Sequence, residues 1–76
     1  MAELELKKET ALIEAILYLD SDPLDESSLC RISGLSRETV AQALKALEDR
    51  YGADDSGIEL IKIGGGILIS PKKEYW

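Results

Sequence analysis

Residues 29–47 read "LCRISGLSRETVAQALKAL" and carry the signals of two helices separated by a tight turn. Gly34 ends the first helix, since a glycine just past a helix C-terminus accepts left-handed backbone angles that other residues resist. Ser36 then caps the second helix, because its side chain can accept from an unpaired backbone N–H. Apolar residues follow at the spacing of one helical face, namely Val40, Ala43, Leu44, Leu47 and Tyr51.

These signals together predict a helix-turn-helix. Cys30 lies four residues before Gly34, where two helices approach closely and a small side chain is required. Leu35 is expected to fill the corner between the helices. The prediction rests on eight positions: Leu29, Cys30, Ile32, Gly34, Leu35, Ser36, Val40 and Leu44. All of them are packing positions, with Leu29 and Ile32 facing the core, so the pattern is specific for the fold and not for DNA binding.

The flanking segments extend the motif to a complete domain. Residues 7–22 have helical periodicity and are followed by Pro23, which we expect to end that helix. Asp25 or Ser27 can cap the next helix.

After the helix pair, "IELIKI" and "ILIS" are β-rich runs joined by three glycines, and Pro71 follows the second run. The order of helix, helix, turn, helix and hairpin predicts a winged helix-turn-helix over residues 1–76. Its fold class is mainly α with a small β-hairpin, a three-helix bundle plus a wing. The chain ends abruptly on two aromatic residues, Tyr75 and Trp76. This end suggests a fragment of a longer protein, and the alternative is a native terminus that packs Trp76 back onto the domain.

The first helix has more apolar surface than one core needs. Ile13 and Leu17 form a stripe roughly 100° round the helix from a second set, with Tyr18 on the other flank. That second set consists of Leu12, Ala15, Ile16 and Leu19. Either the extra surface contacts another chain, or the helix is buried on several sides within its own bundle. Under the first alternative, Ile13, Leu17 and Tyr18 are the predicted protein interface.

Composition excludes several functions. The 76-residue chain has fifteen acidic and nine basic residues, a formal net charge of -6, no histidine and one cysteine. The lack of histidine removes the commonest general base and transition-metal ligand, and one cysteine cannot form an intrachain disulfide. We find no catalytic constellation and expect no cofactor and no metal site. No signal-peptide or membrane-spanning run is present, so we expect a cytosolic protein and no membrane partner.

The outward face of the second helix of the motif determines whether it reads DNA. Arg37 and Gln42 can reach bases and Lys45 a phosphate, which are the contacts of a winged-helix transcription regulator. Three acidic residues oppose them: Glu38, Glu48 and Asp49. An acidic chain repels the phosphate backbone that supplies most non-specific affinity. We therefore expect no direct nucleic-acid contact and keep the DNA-binding regulator as the alternative function.

The wing offers little to DNA. Its tip is the bare glycine run 64–66, whereas DNA-binding wings usually carry basic residues there. Lys62, Lys72 and Lys73 flank the tip. Either they form a small basic patch, or they are solvated residues that protect strand edges, and we favour the second interpretation.

Several stretches together resemble the N-terminal domain of bacterial segregation and condensation protein B. The family's opening helix is matched by "IEAILYL" from Ile13, its Pro-Leu turn by residues 23–24, and its helix end by Tyr51. Its hairpin is matched by residues 57–75, with Ile67 where an aromatic residue is often found. The likeness covers nearly the whole chain after the first ten residues.

The resemblance implies a non-enzymatic accessory subunit of bacterial condensin, acting in chromosome condensation and segregation. Family members contain two winged-helix domains, of which the first is associated with homodimerisation. The resemblance therefore implies that this chain is the N-terminal fragment of a longer, two-domain protein. The implied partners are a second copy, the kleisin called segregation and condensation protein A, and through it the SMC ATPase. It also implies a cytoplasmic protein associated with the nucleoid through that complex.

Overall fold

Three helices and one hairpin make up the domain. A computed structural model describes residues 2–76, with side chains from Leu6 onward. The helices are α1 (Ala2–Leu19), α2 (Glu26–Ser33) and α3 (Arg37–Tyr51), and the strands are β1 (Ile58–Ile63) and β2 (Gly66–Pro71). A single 3₁₀ turn, Lys73–Tyr75, follows. This order confirms the predicted winged helix-turn-helix.

The predicted caps are confirmed in detail. The backbone N–H of Ser28 donates to the Asp25 side chain at 2.7 Å, and that of Thr39 donates to the Ser36 hydroxyl at 3.1 Å. Gly34 has φ of 77°, the left-handed conformation expected after α2. The turn between α2 and α3 is therefore specified by two residues within it, Gly34 and Ser36.

The first helix ends earlier than predicted. It stops at Leu19, four positions before Pro23, and the Asp20 carboxylate accepts from the backbone N–H of Asp22 at 3.1 Å. This local bond offers the chain an alternative to another helical turn. Proline therefore follows the helix end without causing it.

The core lies between α1 and α3, and α2 and the wing close its sides. The predicted apolar face of α3 is buried throughout, and Leu47 and Val40 have 0% exposure. Leu29 of α2 is equally buried, but Ile32 is 54% exposed, which corrects its predicted inward position. The eight-residue α2 contributes Leu29 and the partly buried Cys30 to the core, and Ile32 lies on its solvent side.

The wing is an antiparallel hairpin tied to the helices by a third short segment. Gly64 and Gly65, with φ of 53° and 84°, form its two-residue turn. The backbone N–H of Leu24 donates to the carbonyl oxygen of Ile67 at 2.9 Å, and the N–H of Ile67 donates to the carbonyl oxygen of Leu24 at 2.8 Å. The turn before α2 thus lies along β2 and fixes the wing against the bundle.

Gly66 lies at the closest approach between the wing and this turn. A Cβ built on Gly66 would lie 2.5 Å from Pro23 Cβ and 3.1 Å from the Pro23 carbonyl carbon. Since neither atom belongs to a flexible side-chain end, a methyl group there must displace the backbone.

We predict that Gly66→Ala destabilises the domain by about 1–3 kcal/mol, the usual cost of overpacking. Chemical denaturation followed by circular dichroism measures the change. Gly57→Ala is the matched control, because the nearest atom to its added Cβ is 4.0 Å away. Equal stability of the two variants would contradict the described contact.

Candidate protein-interaction surface

The structure corrects two of the three predicted interface residues. Ile13 and Leu17 are 0% and 2% exposed and belong to the same apolar cluster as Val40 and Leu47. They form the inner face of α1, which packs against α3. Ile13 is therefore closed to another chain in this fold, and Leu17 exposes only the small part of its side chain that lines the groove described below. Tyr18 is 78% exposed and remains a candidate.

The opposite side of α1 carries the unexplained apolar residues. Leu12 is 40% exposed and Leu19 is 82% exposed. We define the outer face of α1 by five exposed residues: Ala11, Leu12, Ala15, Tyr18 and Leu19. They recur at intervals of three and four, so they share one side of the helix. The first helix is therefore apolar on two sides, and only one of them is covered.

A groove runs beside this outer face, between α1 and the wing. Its volume is about 620 Å³, within the range of roughly 300–1,000 Å³ typical of ligand pockets. The apolar walls come from Ala11, Ala15 and Tyr18 of α1, Ile58 of β1, and Leu68 and Pro71 of β2. The groove and the outer face share Ala11, Ala15 and Tyr18, so they form one continuous surface.

A cluster of three polar side chains, Glu14, Arg50 and Tyr51, lies where α1 and α3 meet the groove. The Tyr51 hydroxyl donates to Glu14 Oε2, and Arg50 Nη1 lies 3.7 Å from Glu14 Oε1. Burial and the adjacent Glu14 carboxylate raise the pKa of Tyr51 above its ordinary value. These contacts hold the C-terminal end of α3 to the middle of α1, and both Glu14 and Tyr51 line the groove.

The residues of the DNA-binding alternative lie exposed on the outer side of α3. Arg37 Nη2 donates to the Ser27 hydroxyl at 3.2 Å, and Lys45 Nζ lies 3.7 Å from Asp49 Oδ1. Gln42 is exposed between them. Two of the three candidate base or phosphate contacts are thus engaged by neighbours within the domain.

The lysines around the wing do not gather at its tip. Lys72 Nζ donates to the carbonyl oxygen of Ala53 at 3.0 Å, in the loop after α3. Lys62 lies exposed on β1, and Lys73 begins the 3₁₀ turn. Lys62 nevertheless lies beside α3, where it lines one surface depression with Arg37 and another with Lys45.

The described part of the chain contains neither a metal-binding cluster nor a membrane-spanning helix. Among the side chains of residues 6–76, no group of three or more histidine, cysteine, aspartate or glutamate residues could hold a metal ion. No helix among residues 2–76 has the length and apolar character needed to cross a membrane.

The fold and this surface define a winged-helix domain with a cation-poor recognition helix and an apolar outer face on its first helix. The sequence model of the family described as segregation and condensation complex subunit ScpB matches residues 11–76. The chain belongs to that family.

Relatives in two bacteria agree with this assignment. Segregation and condensation protein B of Acetivibrio thermocellus is 28% identical over 74 residues, covering 96% of this chain and 37% of the relative. That of Alkaliphilus metalliredigens is 31% identical over 65 residues, covering 86% and 34%. The chain thus spans about a third of the length of these relatives.

Solved structures show the same fold. A crystal structure of a dimer of the ScpB N-terminal domain complexed with ScpA peptide superposes with a TM-score of 0.87 at 28% identity, covering 93% of this chain and 89% of that one. ScpB from Mycobacterium tuberculosis superposes with a TM-score of 0.82 at 21% identity, covering 92% and 44%.

We predict that Tyr51→Phe lowers the free energy of unfolding by about 1–2 kcal/mol at pH 7, since Glu14 loses a charge-assisted hydrogen bond. Urea denaturation measures the loss. An unchanged midpoint would mean that the Tyr51–Glu14 bond contributes nothing.

The same pair predicts a pH dependence. Because the folded-state pKa of Tyr51 is raised, its contribution is fully present below the unfolded-state pKa near ~10 and is lost as the pH rises above that value. The stability difference between wild type and Tyr51→Phe should therefore shrink by up to about 1.4 kcal/mol per pH unit above pH ~10. A constant difference from pH 8 to 11 would exclude this linkage.

Proposed function

We propose that the chain acts as a non-enzymatic accessory subunit of a bacterial SMC–kleisin complex. It would work in the cytoplasm, associated with the nucleoid through that complex, in chromosome condensation and segregation. Membership of the ScpB family supports this role. The observation that carries it is the uncovered outer face of α1, because a binding subunit needs such a surface and a catalyst does not.

Self-association through the outer face of α1 is the first part of the proposal. Tyr18 and Leu19 are about four-fifths exposed, and they lie beside Ala15 with no charged residue between them. Large apolar side chains grouped on one helix face favour helix-to-helix contact, since each buried side chain contributes about 1.5–3 kcal/mol. The dimeric relative, at 28% identity, supports a homodimer here.

Binding of the kleisin is the second part. The same relative is complexed with ScpA peptide. In this chain, the groove beside α1 offers an apolar cleft of suitable size for a peptide. The kleisin would in turn connect this subunit to the SMC ATPase.

The alternative, a DNA-binding regulator, has weaker support. The net charge of -6 opposes a phosphate backbone, and two cations of the recognition helix, Arg37 and Lys45, contact neighbouring side chains. Non-specific DNA affinity is mainly electrostatic, so this charge distribution favours protein partners.

We predict that Leu19→Glu weakens self-association at least tenfold, because a carboxylate must be desolvated when the outer face is covered. Tyr18→Glu should act in the same direction. Sedimentation equilibrium over micromolar to millimolar concentration measures the dissociation constant.

Ile32→Glu is the matched control for this experiment. Like Leu19, Ile32 is an exposed aliphatic side chain on a helix, at 54% exposure, but it lies on α2. It should leave the dissociation constant unchanged. A strictly monomeric wild type, or equal loss in the Ile32 variant, would contradict self-association through α1.

We predict that the dissociation constant for duplex DNA exceeds about 100 µM at 50 mM salt. This value is at the weak end of the range for non-specific binding at physiological salt. Fluorescence anisotropy with a random 30-base-pair duplex is a suitable measurement. Binding that weakens steeply with salt and is lost in Arg37→Ala and Lys45→Ala would support the regulator instead.

A further inference from the structure

The outward edge of β2 carries unpaired backbone groups beside the groove. Residues at alternate positions of an antiparallel strand direct their N–H and C=O to the same side. Ile67 bonds to Leu24 and therefore points away from β1. Ile69, two residues later, must point the same way. Its N–H and C=O have no hydrogen-bond partner among residues 2–76.

Leu24 shows that this edge accepts a third strand. It pairs antiparallel with Ile67, next to the open position at Ile69. Beyond Ile69 the edge ends, because proline has no N–H and the carbonyl of Pro71 accepts from Trp76 Nε1 at 2.9 Å. The open edge therefore has room for one residue pair, at Ile69. It follows directly after Ile67, which is already paired with Leu24.

Ile69 lines the groove next to α1. A segment bonded to Ile69 would lie along the groove floor, with alternate side chains directed between Tyr18 on the helix and Leu68 on the strand. A free strand edge combined with pockets for alternate side chains is the arrangement used in β-strand addition. A helical ligand would leave the Ile69 groups unbonded.

The groove is also acidic. Glu14 and Asp20 are its charged lining residues, and neither lysine nor arginine is among the residues that line it. Arg50 approaches Glu14 from one side. The exposed Asp20 carboxylate has no basic partner among residues 6–76. An occupant with a basic side chain would complement this charge, whereas a second copy of a chain with net charge -6 would not.

We propose that a short extended segment of a protein partner, apolar with at least one basic side chain, adds to the edge of β2 at Ile69. Its apolar side chains occupy the groove, and its cation faces Asp20 and Glu14. This inference rests on the proposed function, in which the kleisin subunit supplies the segment. It assigns the partner to the groove and the self-association of the chain to the outer face of α1, with Tyr18 at the boundary between the two surfaces.

The test removes one hydrogen-bond donor and keeps every side chain. Chemical synthesis of the 76-residue chain with a backbone ester at Ile69 eliminates that N–H. The matched control is an ester at Lys62, which pairs with Ile67 across the hairpin and therefore directs its N–H to the opposite edge. Isothermal titration with the purified kleisin of the same organism gives the dissociation constant.

The ester at Ile69 should weaken kleisin binding roughly three- to tenfold, the factor that one net hydrogen bond is worth. The ester at Lys62 should leave it unchanged. Asp20→Asn should also weaken binding and reduce its salt dependence, whereas Asp22→Asn, outside the groove, should not. Equal affinity of all variants overturns the inference and leaves the proposed function intact.

Hydrogen exchange on the unmodified chain provides an independent readout that does not depend on whether the ester folds. Saturating kleisin should slow exchange of the Ile69 amide at least tenfold, because the new bond protects it. Unchanged exchange at saturation overturns the inference. Protection that appears when the chain alone is concentrated overturns the partner assignment in favour of a second copy. No kleisin binding by the wild type overturns the proposed function and the inference with it.

Discussion

The packing of α1 against α3 constrains the rest of the molecule. Ile13 and Leu47, both at 0% exposure, lie in the core shared by these helices. Once the stripe of Ile13 and Leu17 faces inward, the helical period places Tyr18 and Leu19 on the opposite side. The exposed apolar face is thus a direct geometric consequence of the core. It cannot be relieved by rotating α1, because rotation would expose the inner stripe instead.

A fold known for reading DNA here has an uncovered apolar face on its first helix, away from the outward side of the recognition helix. The recognition helix keeps its position, but Arg37 bonds to Ser27 and Lys45 lies beside Asp49. The wing, which would otherwise extend toward a phosphate backbone, ends in two glycines and is tied to the turn before α2 by Leu24. Its β2 strand instead closes one side of a groove beside α1, so the helix-turn-helix packing is retained and the apolar groove lies away from the outward side of α3.

Features with short-range causes could be predicted from the sequence, whereas those that depend on contacts distant in the chain could not. Gly34 and Ser36 specify their turn locally, and both predictions are confirmed. The two stripes of α1 are equally apolar, so only the complementary surface of α3 determines that Ile13 faces inward. The outward direction of Ile69 follows from the Leu24 bridge, a pairing between segments more than forty residues apart. No pattern within β2 signals it.

The central claim is that α1 is covered on one side by its own domain and on the other by a second protein chain. Isotope-filtered nuclear magnetic resonance on a mixture of labelled and unlabelled chains tests it most directly. We expect contacts between copies at the methyl groups of Leu12 and Leu19 and none at Ile13 or Leu17. Contacts between copies confined to the outer side of α3, or none at millimolar concentration, would contradict it.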